Sequence, residues 1–177
     1  FPMSDVVPPS HPSSTVNGIT RTHGDIIAHL FDLAGLSTSA PLDAAARALA
    51  ERAIDFFDRT MLAHHGAEEQ HLFPAVLALA IDGAEREYVQ ALVSQLTEEH
   101  RKIEALWTEL AQRLRLLIQG GTSPATDERI QRLVLDYGDH ATREESELLP
   151  LCHAILQRAP ESKQTQALLA MHREASD

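Results

Sequence analysis

Along four stretches of this 177-residue chain, apolar residues recur every three or four positions, and nowhere do they alternate strictly with polar ones. Steps of three and four keep side chains on one face of an α-helix, whereas a half-buried strand needs a step of two. The first stripe runs through Ile19, His23, Ile26, Leu30 and Leu33. The second, within residues 42–80, follows Leu49, Ala53, Phe57, Met61, His64, Glu68, Leu72, Ala75 and Leu79. The third follows Val89, Leu92, Leu96, His100, Ile103, Trp107, Leu110, Leu114 and Leu117, and the fourth Ile130, Leu133, Tyr137, His140, Glu144, Leu148, Leu151 and Ile155. Turn signals separate them: Gly35 with residues 37–41, then Asp82-Gly83, then Gly120-Gly121. Ser123-Pro124 reads as an N-cap followed by a first-turn proline. Aromatics are only 5 % of the chain, which also favours helix over strand. The expectation is an all-α, up-down-up-down four-helix bundle over residues 16–160. A flexible, proline-rich tail over 1–15 would precede it, and a short C-terminal helix within 161–177 would follow.

Charge and composition narrow the classes of function. Lys and Arg number 15 against 26 Asp and Glu, a formal charge of −11. A face able to neutralise phosphates is not expected, so neither nucleic acid nor an anionic membrane is an expected partner. The longest apolar run, residues 72–81, contains Pro74 and is too short to span a bilayer. The single cysteine, Cys152, excludes a disulfide framework and a thiolate metal site within one chain, and reads as a small core residue. No secretory leader pattern is visible, and the expected setting is cytoplasmic.

Each stripe is interrupted by ionisable residues at core-facing positions: His23, His64 with Glu68, His100, and His140 with Glu144. Burying them without partners would cost several kcal/mol in total, so either a dense hydrogen-bond network or a bound metal must compensate. The second and fourth stripes carry the same pattern, HHGAEEQHLFP at 64–74 and HATREESELLP at 140–150, with His, Glu, Glu, Leu and Pro at matching offsets. A histidine and a glutamate four apart lie one turn apart on one helix face, so imidazole and carboxylate can converge on a point beside the helix. Helix heights test whether the four stripes can bring these groups together. His64 is 18 residues before Asp82 and His100 is 18 after it. His100 is 21 before Gly121 and His140 is 19 after it. At 1.5 Å per residue these three histidines lie within about a turn of one level. His23 fits less well, being 16 before Ser39 while His64 is 25 after it, so residues 37–48 must absorb the difference.

Four imidazoles and two carboxylates are ligands suited to iron, manganese or zinc, and two such cations could share the carboxylates. HExxH is absent, so a zinc protease has no support. Neighbouring polar residues read as peripheral. His65 and Glu69 lie about 100° round from the stripe and are expected to be partly exposed. His71 and Glu147 face inward as helix-flank residues, and His29 is a packed or solvent-edge histidine. Glu104 is a solvated salt-bridge partner. Tyr137 is a core residue able to hydrogen-bond near the site.

The segments THGDII at 22–27, HHGAEEQHLFP at 64–74, EEHRKI at 98–103 and HATREESELLP at 140–150 together resemble the hemerythrin-like, HHE cation-binding domain family, over roughly residues 19–158. The resemblance implies a four-helix bundle around a non-haem di-iron centre. His23 and His64 would serve one iron, His100 and His140 the other, and Glu68 and Glu144 would bridge both. The function it implies is binding or sensing of a small diatomic ligand, oxygen or nitric oxide, or of redox state. The alternatives are iron donation to damaged iron centres and reduction of peroxide or nitric oxide by a di-iron enzyme; binding or sensing is preferred. Oxygen-carrying hemerythrins place a further histidine one turn before the third-helix ligand, where this chain has Leu96. Their fourth-helix carboxylate is an aspartate five residues after its histidine, where this chain has Glu144 at four and Glu145 at five. From Leu96, the His100 metal is expected to keep one more open position than in a carrier, which favours sensing or redox chemistry over transport.

Overall fold

The computed structural model describes residues 12–38 and 41–174, with side chains over 16–38 and 41–170. All regular structure among them is helical. Helix α1 spans Pro12–Ala34, α2 residues 44–79, α3 Ala84–Ile118, α4 residues 126–158 and α5 Lys163–Glu174. Helices α1 to α4 form the expected bundle: α1 packs on α2 and α4, and α3 packs on the same two. The short α5 closes one end against α1 and α2. Residues 1–11 of the expected tail lie outside the described residues, whereas 12–15 already belong to α1.

Local chemistry sets the helix ends. The Asp43 carboxylate accepts from the Ala46 N–H at 2.8 Å, satisfying one of the N-terminal donors of α2. Gly83 and Gly120 take φ of 95° and 83°, a region that costs glycine nothing, and they mark the two turns flanking α3. The start of α4 differs from the sequence expectation. Ser123 does not cap it. Ala125 takes a left-handed φ of 61°, and the helix opens at Thr126, whose hydroxyl donates to the Ser123 carbonyl at 2.7 Å. Pro124 therefore belongs to the preceding turn.

The difference in height between α1 and α2 is absorbed outside the helices. α1 ends at Ala34, eleven residues past His23, while α2 starts at Ala44, twenty before His64. Leu36 and Leu42, which flank α1 and α2, are both buried in the core half that holds the overhanging start of α2.

α2 and α4 are not uniformly α-helical. Three stretches are π-helical: Phe57–Met61 and Glu68–Leu72 in α2, and Glu144–Leu148 in α4. The Phe73 N–H reaches the Glu68 carbonyl, and the Leu149 N–H the Glu144 carbonyl. Pro74 and Pro150 come immediately after. A proline ring collides with the carbonyl four residues back in a regular helix, and a widened turn relieves that collision. The wide turn also keeps side chains four apart in line. His64, Glu68 and Leu72 are all buried, and so are His140, Glu144 and Leu148. Glu147, expected to face inward, is exposed for the same reason, and its carboxylate accepts from the Tyr88 hydroxyl at 3.2 Å.

The apolar core falls into two halves. One holds Ile26, Leu30, Phe57, Met61, Trp107, Leu110 and Tyr137; the other holds Leu72, Phe73, Val76, Leu96, Leu148 and Cys152. Between them lies a layer of histidine and glutamate. Trp107 anchors the first half, with its indole N–H on Asp58 at 2.8 Å. We expect Trp107→Ala to cost about 3–5 kcal/mol in urea unfolding of the metal-free protein.

Candidate metal centre

The layer is built from α1 to α4. His23 comes from α1, His64, His65 and Glu68 from α2, His100 from α3, and His140 and Glu144 from α4. All seven are buried. The structure thus brings together the six residues singled out from the sequence, and adds His65.

Glu68 and Glu144 sit at the centre. Glu68 lies 3.0 Å from His64 Nε2 through one oxygen and 3.3 Å from His100 Nε2 through the other. Glu144 Oε2 lies 3.3 Å from His23 Nε2 and 3.7 Å from His140 Nε2. Each carboxylate therefore touches histidines from two helices. These contacts are close but not aligned as hydrogen bonds. Nε2 of His23, His64, His65, His100 and His140, both oxygens of Glu68 and of Glu144, and the Tyr137 hydroxyl have no hydrogen-bond partner. Every buried side-chain polar atom left unpartnered among the described residues is in this layer or, for Tyr137, borders it. Native interiors leave few such groups, since each costs about 1–3 kcal/mol, and ten aimed into one space require a common partner. Potential ligand atoms fall into two groups, each within 4.8 Å: His23, His64, Glu68 and Glu144, and His65, His100 and His140.

An outer ring of carboxylates holds the imidazoles. Nδ1 of His23 lies 2.9 Å from Glu145, of His65 3.1 Å from Glu104, of His100 2.8 Å from Glu69, and of His140 3.3 Å from Glu99. With a proton on Nδ1, each ring donates outward and turns its Nε2 lone pair to the centre. Arginines hold three of the four outer carboxylates in turn. Arg101 pairs with Glu69 and, at 2.8 Å, with Glu104, and Arg143 reaches Glu99 at 2.5 Å.

The electrostatics suit cations. Burial, followed by the neighbouring His100 and His140, pushes His65 down to about 2, and burial followed by His140 and His64 pushes His100 to about 2. Burial also lowers His64 well below the ordinary value. These rings stay neutral and keep their lone pairs. Burial, then the Glu144 charge, raises Glu68 well above the usual carboxylate range. Burial pulls His23 down, but Glu144 and Glu145 outweigh it and hold its pKa above the ordinary value. Burial and the two central glutamates raise Tyr137, so its hydroxyl keeps its proton.

The peripheral residues divide. His65, for which the spacing predicts partial exposure, is instead fully buried. One helix face meets one line of neighbours, but α2 lies between α1 and α3. His64 turns toward α1, 4.7 Å from the His23 ring, and His65 turns toward α3, stacked on His100 at 3.9 Å. Glu104 is more than a solvated salt-bridge partner, since it also holds His65. Glu69 and Glu145 keep partial exposure while gripping inner histidines. The HxxxE pairs at 65/69 and 100/104 are the sequence signal for this ring, but the partners cross between helices: Glu69 holds His100 and Glu104 holds His65. His29 stacks on Phe56 at 3.6 Å, away from the layer. Cys152 is core, its thiol pushed up by burial.

The hemerythrin HHE cation-binding domain family matches residues 14–152. Neither the curated proteins nor the solved structures compared with the chain gave a match. Among the described residues, no helix is long and apolar enough to cross a membrane. The match covers most of the chain and includes every residue of the layer, so the chain belongs to the hemerythrin HHE cation-binding domain family.

Proposed function

We propose that the layer holds two iron ions, with His23 and His64 toward one, His100 and His140 toward the other, and Glu68 and Glu144 bridging. The protein would then bind or sense a small diatomic ligand, oxygen or nitric oxide, or redox state, in the cytoplasm. The observation that carries this reading is the set of unpartnered, buried nitrogen and oxygen atoms converging between two apolar halves. Bound iron would supply open coordination positions and one-electron redox chemistry.

The chain's own residues prepare the site for that. The outer carboxylates fix the tautomers and point Nε2 inward. Met61, Ile103, Leu72, Leu96 and Leu148, all fully or nearly fully buried, exclude bulk water from above and below. The Tyr137 hydroxyl holds a proton within the cage, and its ring lies 5.8 Å from that of His140 and 6.1 Å from that of His23. A polar surface pocket of about 220 Å³, lined by Glu99, Lys102, Arg132, Asp136 and Arg143, lies against the outer side of His140.

The test is an anaerobic metal count on iron-replete protein, with absorption spectra before and after oxygen or nitric oxide. About two irons per chain and a ligand-dependent spectrum are expected, whereas a count of one or none would overturn the reading. Loading should also release protons, because metal displaces those on Glu68 and His23 while the depressed histidines have none to give. We expect the release to be largest at acidic pH and to fall as pH rises and these groups lose their protons beforehand. Stopped-flow mixing with a pH indicator in weak buffer measures it.

A further inference from the structure

We propose that His65 is itself a metal ligand, completing a three-imidazole set with His100 and His140. This rests on reading the layer as a two-metal centre. His65 is 0 % exposed, and its Nε2 has no hydrogen-bond partner. Its ligand nitrogen lies within 4.8 Å of those of His100 and His140.

The outer contact of His65 is of the same kind as those of the histidines already assigned. Its Nδ1 meets Glu104, whose other oxygen is fixed by Arg101 at 2.8 Å, just as His23, His100 and His140 meet Glu145, Glu69 and Glu99. A buried histidine serving only the fold would leave Nε2 as an unsatisfied acceptor, at a cost that a ligand role removes. The third helix has Leu96, fully buried, one turn before His100. In this chain the third imidazole for the His100 metal comes from α2 instead. The extra open position expected there from Leu96 is thereby taken up by His65.

The experiment counts ligating rings directly. The metal-free protein is loaded with cobalt(II), and hyperfine-shifted, solvent-exchangeable imidazole N–H resonances are recorded by proton NMR. His65→Gln is expected to delete one of these and to speed chelator removal of one metal by more than the ~10–100-fold that loss of an orienting group costs, leaving the other release phase intact. Glu104→Gln, which keeps the ring and alters only the acceptor of its N–H, is expected to move one shifted resonance without deleting any. The proposal is overturned if the shifted set responds to neither substitution. Should His65→Gln fail to fold, the Glu104→Gln spectrum still decides. Failure of the two-metal reading looks different, since the parent protein would then take up no cobalt or show no shifted imidazole resonances.

Discussion

Glu68→Ala and Glu144→Ala are each expected to strip metal from the centre, leaving fewer than one ion per chain after gel filtration. Glu69→Ala and Glu145→Ala are expected to retain metal with affinity weakened by about 10–100-fold, the range for loss of a group that orients a ligand. The distinction follows from position. Glu68 and Glu144 are 2 % and 0 % exposed, and each reaches histidines of two different helices. Glu69 and Glu145 are 20 % and 37 % exposed at the side chain and touch the far nitrogens of His100 and His23. Elemental analysis and chelator competition on the four variants measure the effect. If Glu145→Ala stripped the metal and Glu144→Ala did not, α4 would use the five-residue spacing of the oxygen carriers.

The second large effect concerns stability. Removing the metals by chelation is expected to lower the thermal midpoint by roughly 8–16 °C for each site held at a thousand times its Kd. Mass action at that ratio stabilises the native state by about 4.1 kcal/mol, and each kcal/mol shifts a chain of this size by about 2–4 °C. The metal-free protein keeps two carboxylates in the core without hydrogen-bond partners. Glu68→Leu should therefore raise the midpoint of the chelated protein, since it removes a buried carboxyl group without a hydrogen-bond partner, which costs about 1–3 kcal/mol. The same variant should melt lower than the parent when metal is supplied. Calorimetry of both proteins in both states should show the two curves exchanging order. A variant that melts lower in both states would mean that Glu68 supports the fold itself.

These two glutamates also show how much of the centre is legible in the sequence. A four-residue step from a histidine on a buried stripe puts a carboxylate on the same face, whatever surrounds the helix. That reasoning singles out His64 with Glu68 and His140 with Glu144, and the apolar stripes around them specify four helices. It does not show how the wide turns at Glu68–Leu72 and Glu144–Leu148 rotate the residues within and beyond them, so Glu147 is expected inside and lies outside. Nor does it locate the opening of α4, because Ala125 adopts a left-handed conformation that its type does not announce.

Sequence alone determined the helical class, the order of the four helices, the histidines and glutamates that interrupt the apolar stripes, and the shared level of three of those histidines. Period and spacing within one helix carry that information, and they do not depend on neighbours. The tertiary structure decided the rest. It brought His23 to the layer, with α1 ending at Ala34 and α2 beginning at Ala44, well beyond the level of α1. It buried His65, because α2 lies between two partners and two adjacent residues can face one each. It also paired Glu69 with His100 and Glu104 with His65 across helices. Which carboxylate meets which imidazole depends on the relative rotation and height of packed helices, quantities that exist only once the bundle has formed.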